Sequence, residues 1–136
     1  MPASAYPQLQ SGILLCIDDN QDVLEWEQSF LESFGYTVLT APSASKGLEL
    51  AWMCPVDVVI VDYLMPDMNG QEIALAMRRI RPQAPIIMLS STVDVPEQAL
   101  RQADAFIARN RLASQLLPAI AQLHGCEWIP PCSYDA

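Results

Sequence analysis

Three aspartates stand where apolar runs stop. Ile13-Leu14-Leu15-Cys16-Ile17 gives way to Asp18-Asp19, and Val58-Val59-Ile60-Val61 gives way to Asp62. A carboxylate at the end of a buried strand is expensive unless a charge pairs with it. Adjacent acids also raise each other's pKa in a low-dielectric cleft. A bound divalent cation reverses that penalty, and an oxygen-only ligand set suits Mg²⁺. Two more apolar runs end in polar groups: Ile86-Ile87-Met88-Leu89 in Ser90, and Ala105-Phe106-Ile107-Ala108 in Arg109. Three carboxylates, a hydroxyl and a cation around one cleft can hold Mg²⁺ and a phosphoryl group. Phosphoryl transfer is catalysed mainly by positioning and charge neutralisation. Each residue also has a structural reading. Asp18, Asp19 and Asn20 can cap the helix that follows, and Asp62 can simply open a turn. Capping needs only one of the first three.

These groups meet only if their runs are neighbouring strands. The unbroken β-branched run at residues 58–61 fits a strand buried on both faces, as in a parallel sheet. A helix follows each strand run. Val23, Leu24, Glu27, Phe30, Leu31 and Phe34 form one such face, with Glu27 its polar intruder and Gly35 its stop. Tyr36 to Thr40 reads as a short strand. Ser43 caps a helix to Met53 whose inner face is Ala44, Leu48, Ala51 and Trp52, and Gly47 weakens it. After the loop Tyr63-Leu64-Met65-Pro66-Asp67-Met68-Asn69-Gly70, a helix presents Ile73, Ala74, Met77 and Ile80. Arg78, Arg79 and Arg81 complement its C-terminal dipole from a solvated face. Asp94, with Pro96 at the first helical position, starts a short helix with Ala99 and Leu100 inward. Ser114 caps the last helix, with Pro118 in its first turn, Leu116, Ile120 and Leu123 on its face, and the solvated His124 at its end.

Strand and helix thus alternate five times, which predicts an α/β fold: a doubly wound, five-stranded parallel sheet with helices on both faces. Right-handed crossovers in the order 2-1-3-4-5 set the first and third strands side by side at the switch point. Asp18, Asp19 and Asp62 then share one rim, joined by Ser90 and Arg109. Residues 1–11 read as a lead-in, 12–124 as the domain and 125–136 as a tail.

The 136 residues suffice for one domain with a real core, and 51% of them are hydrophobic. No apolar run is long enough to span a membrane, and no secretory leader is visible, so a cytoplasmic protein is expected. Cys16, Cys54, Cys126 and Cys132 lack metal-ligand spacing and read as reduced thiols. A net charge of −9 argues against nonspecific nucleic-acid binding.

Taken together, Ile17-Asp18-Asp19, Val61-Asp62-Tyr63-Leu64-Met65-Pro66 with Asn69-Gly70, Met88-Leu89-Ser90, and Phe106-Ile107-Ala108-Arg109 make this chain resemble the response-regulator receiver domain of two-component signalling. The resemblance covers about residues 12 to 124 and implies a flavodoxin-like fold. It also implies that Asp62 is the phosphoacceptor. Asp19 and Asp62 would ligate Mg²⁺ with the main-chain carbonyl of Leu64, and Asp18 would act through water. Ser90 would hydrogen-bond the phosphoryl group, and Phe106 would be the aromatic that turns inward in response. A histidine kinase or histidine phosphotransfer protein would be the donor. A downstream protein, or a second copy of the chain, would read the face made by the fourth helix, fifth strand and fifth helix. No output domain is seen in the sequence, so a stand-alone switch acting through another protein is expected, rather than an enzyme. Two positions depart from the family: Arg109 stands where Lys is usual, and Asn110 where many members have Pro.

Two other functions compete. A pseudo-receiver would bind partners without phosphate control, and Arg109 is its main support. A Mg²⁺-dependent hydrolase with an aspartyl nucleophile would want a general acid two residues beyond Asp62, where Leu64 stands. It would also want a substrate-covering cap, and no segment is long enough for one.

Overall fold

In the computed structural model, residues 12–90 and 95–124 are described. Five strands alternate with five helices. β1 (Ile13–Ile17), β2 (Thr37–Ala41), β3 (Val58–Asp62), β4 (Ile86–Ser90) and β5 (Ala105–Ala108) form one sheet in the order β2-β1-β3-β4-β5. Every pairing is parallel. The expected order is therefore the observed one.

Side chains alternate across a strand, and here both faces are covered. Leu14, Cys16, Val58, Ile60, Ile87 and Leu89 face α1 (Gln21–Glu32) and α5 (Leu112–His124), meeting Leu24, Leu31, Leu116 and Ile120. Leu15, Ile17, Val59, Val61, Ile86 and Met88 face α2 (Ala44–Met53) and α3 (Gly70–Ile80), meeting Ala44, Ala51, Ile73, Ala74 and Met77. All five residues of β3 and of β4 are buried. Continuous apolar runs rather than alternating ones are the consequence.

Local signals set the boundaries. Asn20 caps α1 by accepting from the Asp22 and Val23 N–H groups, and Gly35, at φ +99°, takes the left-handed conformation beyond its end. Ser43 caps α2, accepting from Lys46 N–H. Asn69 and Glu72 form a reciprocal capping box at α3.

The structure differs from expectation where packing overrides pattern. Trp52 is 73% exposed, not inward. The packed face of α2 is Ala44, Gly47 and Ala51, because the helix lies so close to β1 that a Cβ on Gly47 would overlap Ile17 Cδ1. Large residues are excluded from that contact, and Trp52, one position beyond Ala51, turns to solvent. β2 begins at Thr37, one residue later than expected, and Tyr36 is buried ahead of it. α4 (Glu97–Gln102) buries only Ala99, and Leu100 is exposed. Pro96 caps α4 rather than opening it, and Asp94 lies outside the described residues. The chain enters α5 from a 3₁₀ turn, Arg109–Arg111, so Ser114 is not the cap. Its hydroxyl donates back to the Arg111 carbonyl, and Pro118 sits in the helix interior. Helical backbone starting directly at the strand end leaves no loop for a cap. Arg78 and Arg81 are not merely solvated either. Arg78 donates to Gln102 O (3.0 Å) and Asp104 Oδ2 (2.9 Å), and Arg81 to Ala51 O (2.8 Å), tying α3 to its neighbours. The proposed lead-in and tail lie outside the described residues, as do Cys126 and Cys132. Cys16 and Cys54 are free thiols.

Gly47 yields a test, because propensity and packing oppose each other. Ala for Gly within a helix ordinarily stabilises by about 1 kcal/mol. Gly47→Ala should instead destabilise by about 1–3 kcal/mol in urea unfolding, through overpacking against Ile17. Ile17→Val removes Cδ1, the nearer of the two Ile17 atoms in the way. The double variant should be more stable than the two single effects added together, and strict additivity would refute the close contact.

Candidate functional site

β1 and β3 pair with Ile17 opposite Val61, so the residue after each partner falls on the same rim. One carboxylate oxygen from each of Asp18, Asp19 and Asp62 lies within 4.8 Å of the other two. Asp18 is fully buried, Asp62 nearly so, and Asp19 is exposed. Asp18 Oδ1 accepts the Asn20 N–H at 2.9 Å. Its Oδ2 accepts from Arg109 Nη2, which also lies 3.3 Å from Asp62 Oδ2. The guanidinium therefore bridges two of the three acids. The cation expected at this rim thus already sits between Asp18 and Asp62.

Ser90 ends β4 one strand away, buried, and pairs in register with Ala108 just before Arg109. Phe106, on β5, is 37% exposed and thus outward. Leu64 forms an isolated bridge with Asn69, hydrogen-bonds the Asp62 carboxylate through its backbone and leaves its side chain 53% exposed. The loop after β3 is held from outside. Asp67 accepts the Ala44 N–H (3.2 Å) and Ser45 N–H (3.1 Å) at the start of α2. Gly70 lets α3 begin against Tyr63, because a Cβ there would stand 2.9 Å from Tyr63 Cα. All residues expected at the site reach this rim, except that Phe106 points away.

Electrostatics follow from burial. The Asp62 carboxyl is raised to about 6 by desolvation, opposed by Arg109 and reinforced by Asp18. Hard oxygen ligands in this number fit Mg²⁺, which needs few carboxylates and keeps its waters. Asp18 already has both oxygens engaged, whereas Asp19 faces solvent.

Glu27 had a visible signal, as the one polar residue on an apolar helical face, but sequence gave it no role. It is 1% exposed, on the α1 face that packs on β1. The Cys16 thiol hydrogen-bonds it, and its Oε2 has no partner. Burial lifts the Glu27 carboxyl to about 8, with Asp18 adding and Arg109 opposing.

A model of the response regulator receiver domain matches residues 14–120. Among curated proteins, the transcriptional regulatory protein GlrR of Escherichia coli is 33% identical over 84 residues, covering 62% of this chain and 19% of that protein. The response regulator SaeR of Staphylococcus aureus is 33% identical over 78 residues, covering 57% and 34%. The chain thus spans about a fifth to a third of these relatives' length. Among solved structures, the response regulator TrrA of Thermotoga maritima, in complex with Mg²⁺-BeF, superposes with TM-score 0.76 at 25% identity, covering 82% of this chain and 98% of that one. The chemotaxis protein CheY4 of Vibrio cholerae gives 0.76 at 26% identity, covering 84% and 99%.

Glu27 makes stability fall with pH. Its folded-state value of about 8 lies above the ordinary 4.5, so the folded chain holds the proton more tightly. The resulting stability is complete below pH 4.5 and is lost as pH rises through 8. The span is on the order of 5 kcal/mol at about 1.4 kcal/mol per tenfold in proton affinity. Glu27→Gln, which cannot ionise, should gain on the wild type steadily from pH 5 to pH 8.5 in urea unfolding. Parallel stability curves for the two proteins would show that the carboxyl is not desolvated.

Proposed function

Because this chain belongs to the response regulator receiver family of two-component signalling, we propose that it is a phosphorylation-controlled switch with Asp62 as phosphoacceptor. The convergence of Asp18, Asp19 and Asp62 oxygens within 4.8 Å carries this reading. Asp19, Asp62 and the Leu64 carbonyl would hold Mg²⁺, with Asp18 acting through water. The cation, when bound, supplies charge neutralisation for the phosphoryl oxygens.

The donor is a phosphohistidine on a kinase or a histidine phosphotransfer protein. An Asp62 oxygen attacks phosphorus, the N–P bond breaks, and the imidazole leaves with the electron pair and takes a proton from water. Asp62, at the end of the central strand and held by the Leu64 backbone, is pre-oriented for that attack. Ser90 donates to the transferred group, and Arg109 offers it a forked cation. The new charge draws Ser90 and Arg109, and Phe106 turns into the space that opens. The face of α4, β5 and α5 changes with it. Leu100 and Phe106 are exposed there, available to a downstream protein or a second copy of the chain. The net charge of −9 favours protein over nucleic acid as the partner. Among the described residues, no helix is long and apolar enough to cross a membrane, and we place the switch in the cytoplasm.

A second reading has one observation in its favour. Arg109 already neutralises Asp18 and Asp62, as a resident cation in a phosphate-independent pseudo-receiver would. Acetyl phosphate separates the two. With Mg²⁺, the wild type should gain one phosphoryl group by mass spectrometry and Asp62→Asn none. No gain in the wild type favours the pseudo-receiver, and an undiminished gain in the variant moves the acceptor elsewhere.

Persistence of the phosphorylated form depends on Leu64. Its exposed side chain flanks the approach to Asp62 and cannot hydrogen-bond an attacking water. Leu64→Asn should lose the phosphoryl group several-fold faster, on the order of the tenfold that 1.4 kcal/mol confers. Equal decay of the two proteins, followed by phosphoprotein gel, would remove Leu64 from this role.

A further inference from the structure

Two ionisable groups beneath the rim each keep one buried polar atom without a partner: Oε2 of Glu27 and Nε of Arg109. Buried polar atoms are nearly always paired, so each such exception calls for an explanation. One atom is an acceptor and the other a donor. Both sit on the α1–α5 side of the sheet. Glu27 lies on the α1 face packed over β1, and Arg109 begins the turn that leads into α5. Each group lies within the other's electrostatic field. The guanidinium now spends Nη2 on Asp18 and Asp62, the oxygens a cation at this site would take.

Resting on the receiver reading of the rim, we infer that Glu27 is a positioning residue for Arg109, an alternate carboxylate that receives the guanidinium when a divalent cation occupies Asp18, Asp19 and Asp62. The competition has a physical basis. A cation and a guanidinium cannot both neutralise Asp18 and Asp62 at full strength, and an Arg displaced into an apolar layer with no counter-ion would be costly. Glu27, ionised by the approaching guanidinium, removes that cost. A forked guanidinium reaches two partners where a compact ammonium serves one. A chain with Arg at this strand end and a buried Glu behind it therefore has a relay that Lys would not use in the same way. Glu27 lies in the apolar interior, away from the reacting atoms, and acts only by where Arg109 stands.

Mg²⁺ alone is the probe. In protein labelled with ¹⁵N-arginine, only six Nε–Hε signals need assigning. Adding Mg²⁺ to the wild type should move the Arg109 signal downfield and slow its exchange with water. In Glu27→Leu that response should be absent. By calorimetry, Glu27→Leu should bind Mg²⁺ about tenfold more weakly, because Arg109 keeps its place on the acids. In an Arg109→Ala background the same substitution should change affinity less than about twofold. Glu27→Gln, which keeps the shape and one acceptor, should fall between and serves if the Leu variant folds poorly. Equal weakening with and without Arg109, or an unchanged Arg109 signal in Glu27→Leu, would reduce Glu27 to a packing residue and leave the receiver reading intact. If neither the wild type nor Arg109→Ala binds Mg²⁺, the metal-site reading fails and this inference fails with it.

Discussion

The structure depends on how negative charge is held at the carboxyl end of a sheet that is otherwise apolar throughout. Asp18 and Asp62 are buried there, and each terminates a run of side chains almost wholly removed from water. Two carboxylates so placed cannot both ionise cheaply without a cation. Arg109 provides one, contacting both. Without the guanidinium the rim would carry uncompensated charge.

The elements around the rim serve that arrangement. Parallel pairing of β1 with β3 brings an oxygen of each of the three acids within 4.8 Å of the other two, and β4 with β5 adds Ser90, in register with Ala108, and Arg109 just beyond it. The loop beyond Asp62 is fixed at both ends. Asp67 is pinned to the N-terminus of α2, and Gly70 permits α3 to start against Tyr63. Gly47 lets α2 lie flat on Ile17. None of these contacts touches a ligand, but each limits how far Asp62 and Leu64 can drift, and displacements of an ångström matter at a site that works by positioning.

The guanidinium also changes how the switch would operate. A rim of three bare acids would be strained when empty and relaxed by metal. Arg109 offsets part of that strain, while burial still lifts the Asp62 carboxyl to about 6, and metal binding would then be an exchange of cations. Such an exchange needs somewhere for the displaced charge to go. The buried carboxylate on α1 lies on the side of the sheet from which Arg109 arrives.

Period and punctuation in the sequence determined the fold class, the strand order and the meeting of Asp18, Asp19, Asp62, Ser90 and Arg109. Those features are local or follow from it: a run buried on both faces reads as continuous apolar residues, and parallel crossovers have one hand. The caps of α1 and α2 were legible for the same reason, since a capping side chain bonds its own first turn. Tertiary packing alone decided the rest. Trp52 faces solvent because α2 lies too close to β1 for anything larger than Gly47 or Ala51, a distance no single-helix pattern records. Ser114 is not a cap because the chain leaves β5 already helical. Arg78 and Arg81 became ties between helices because their carbonyl and carboxylate partners come from distant segments. Glu27 showed itself in sequence only as an irregularity in an apolar stripe. Its burial against Cys16, within the field of Arg109, is a property of two strands and two helices brought together, and a one-dimensional pattern contains no term for that.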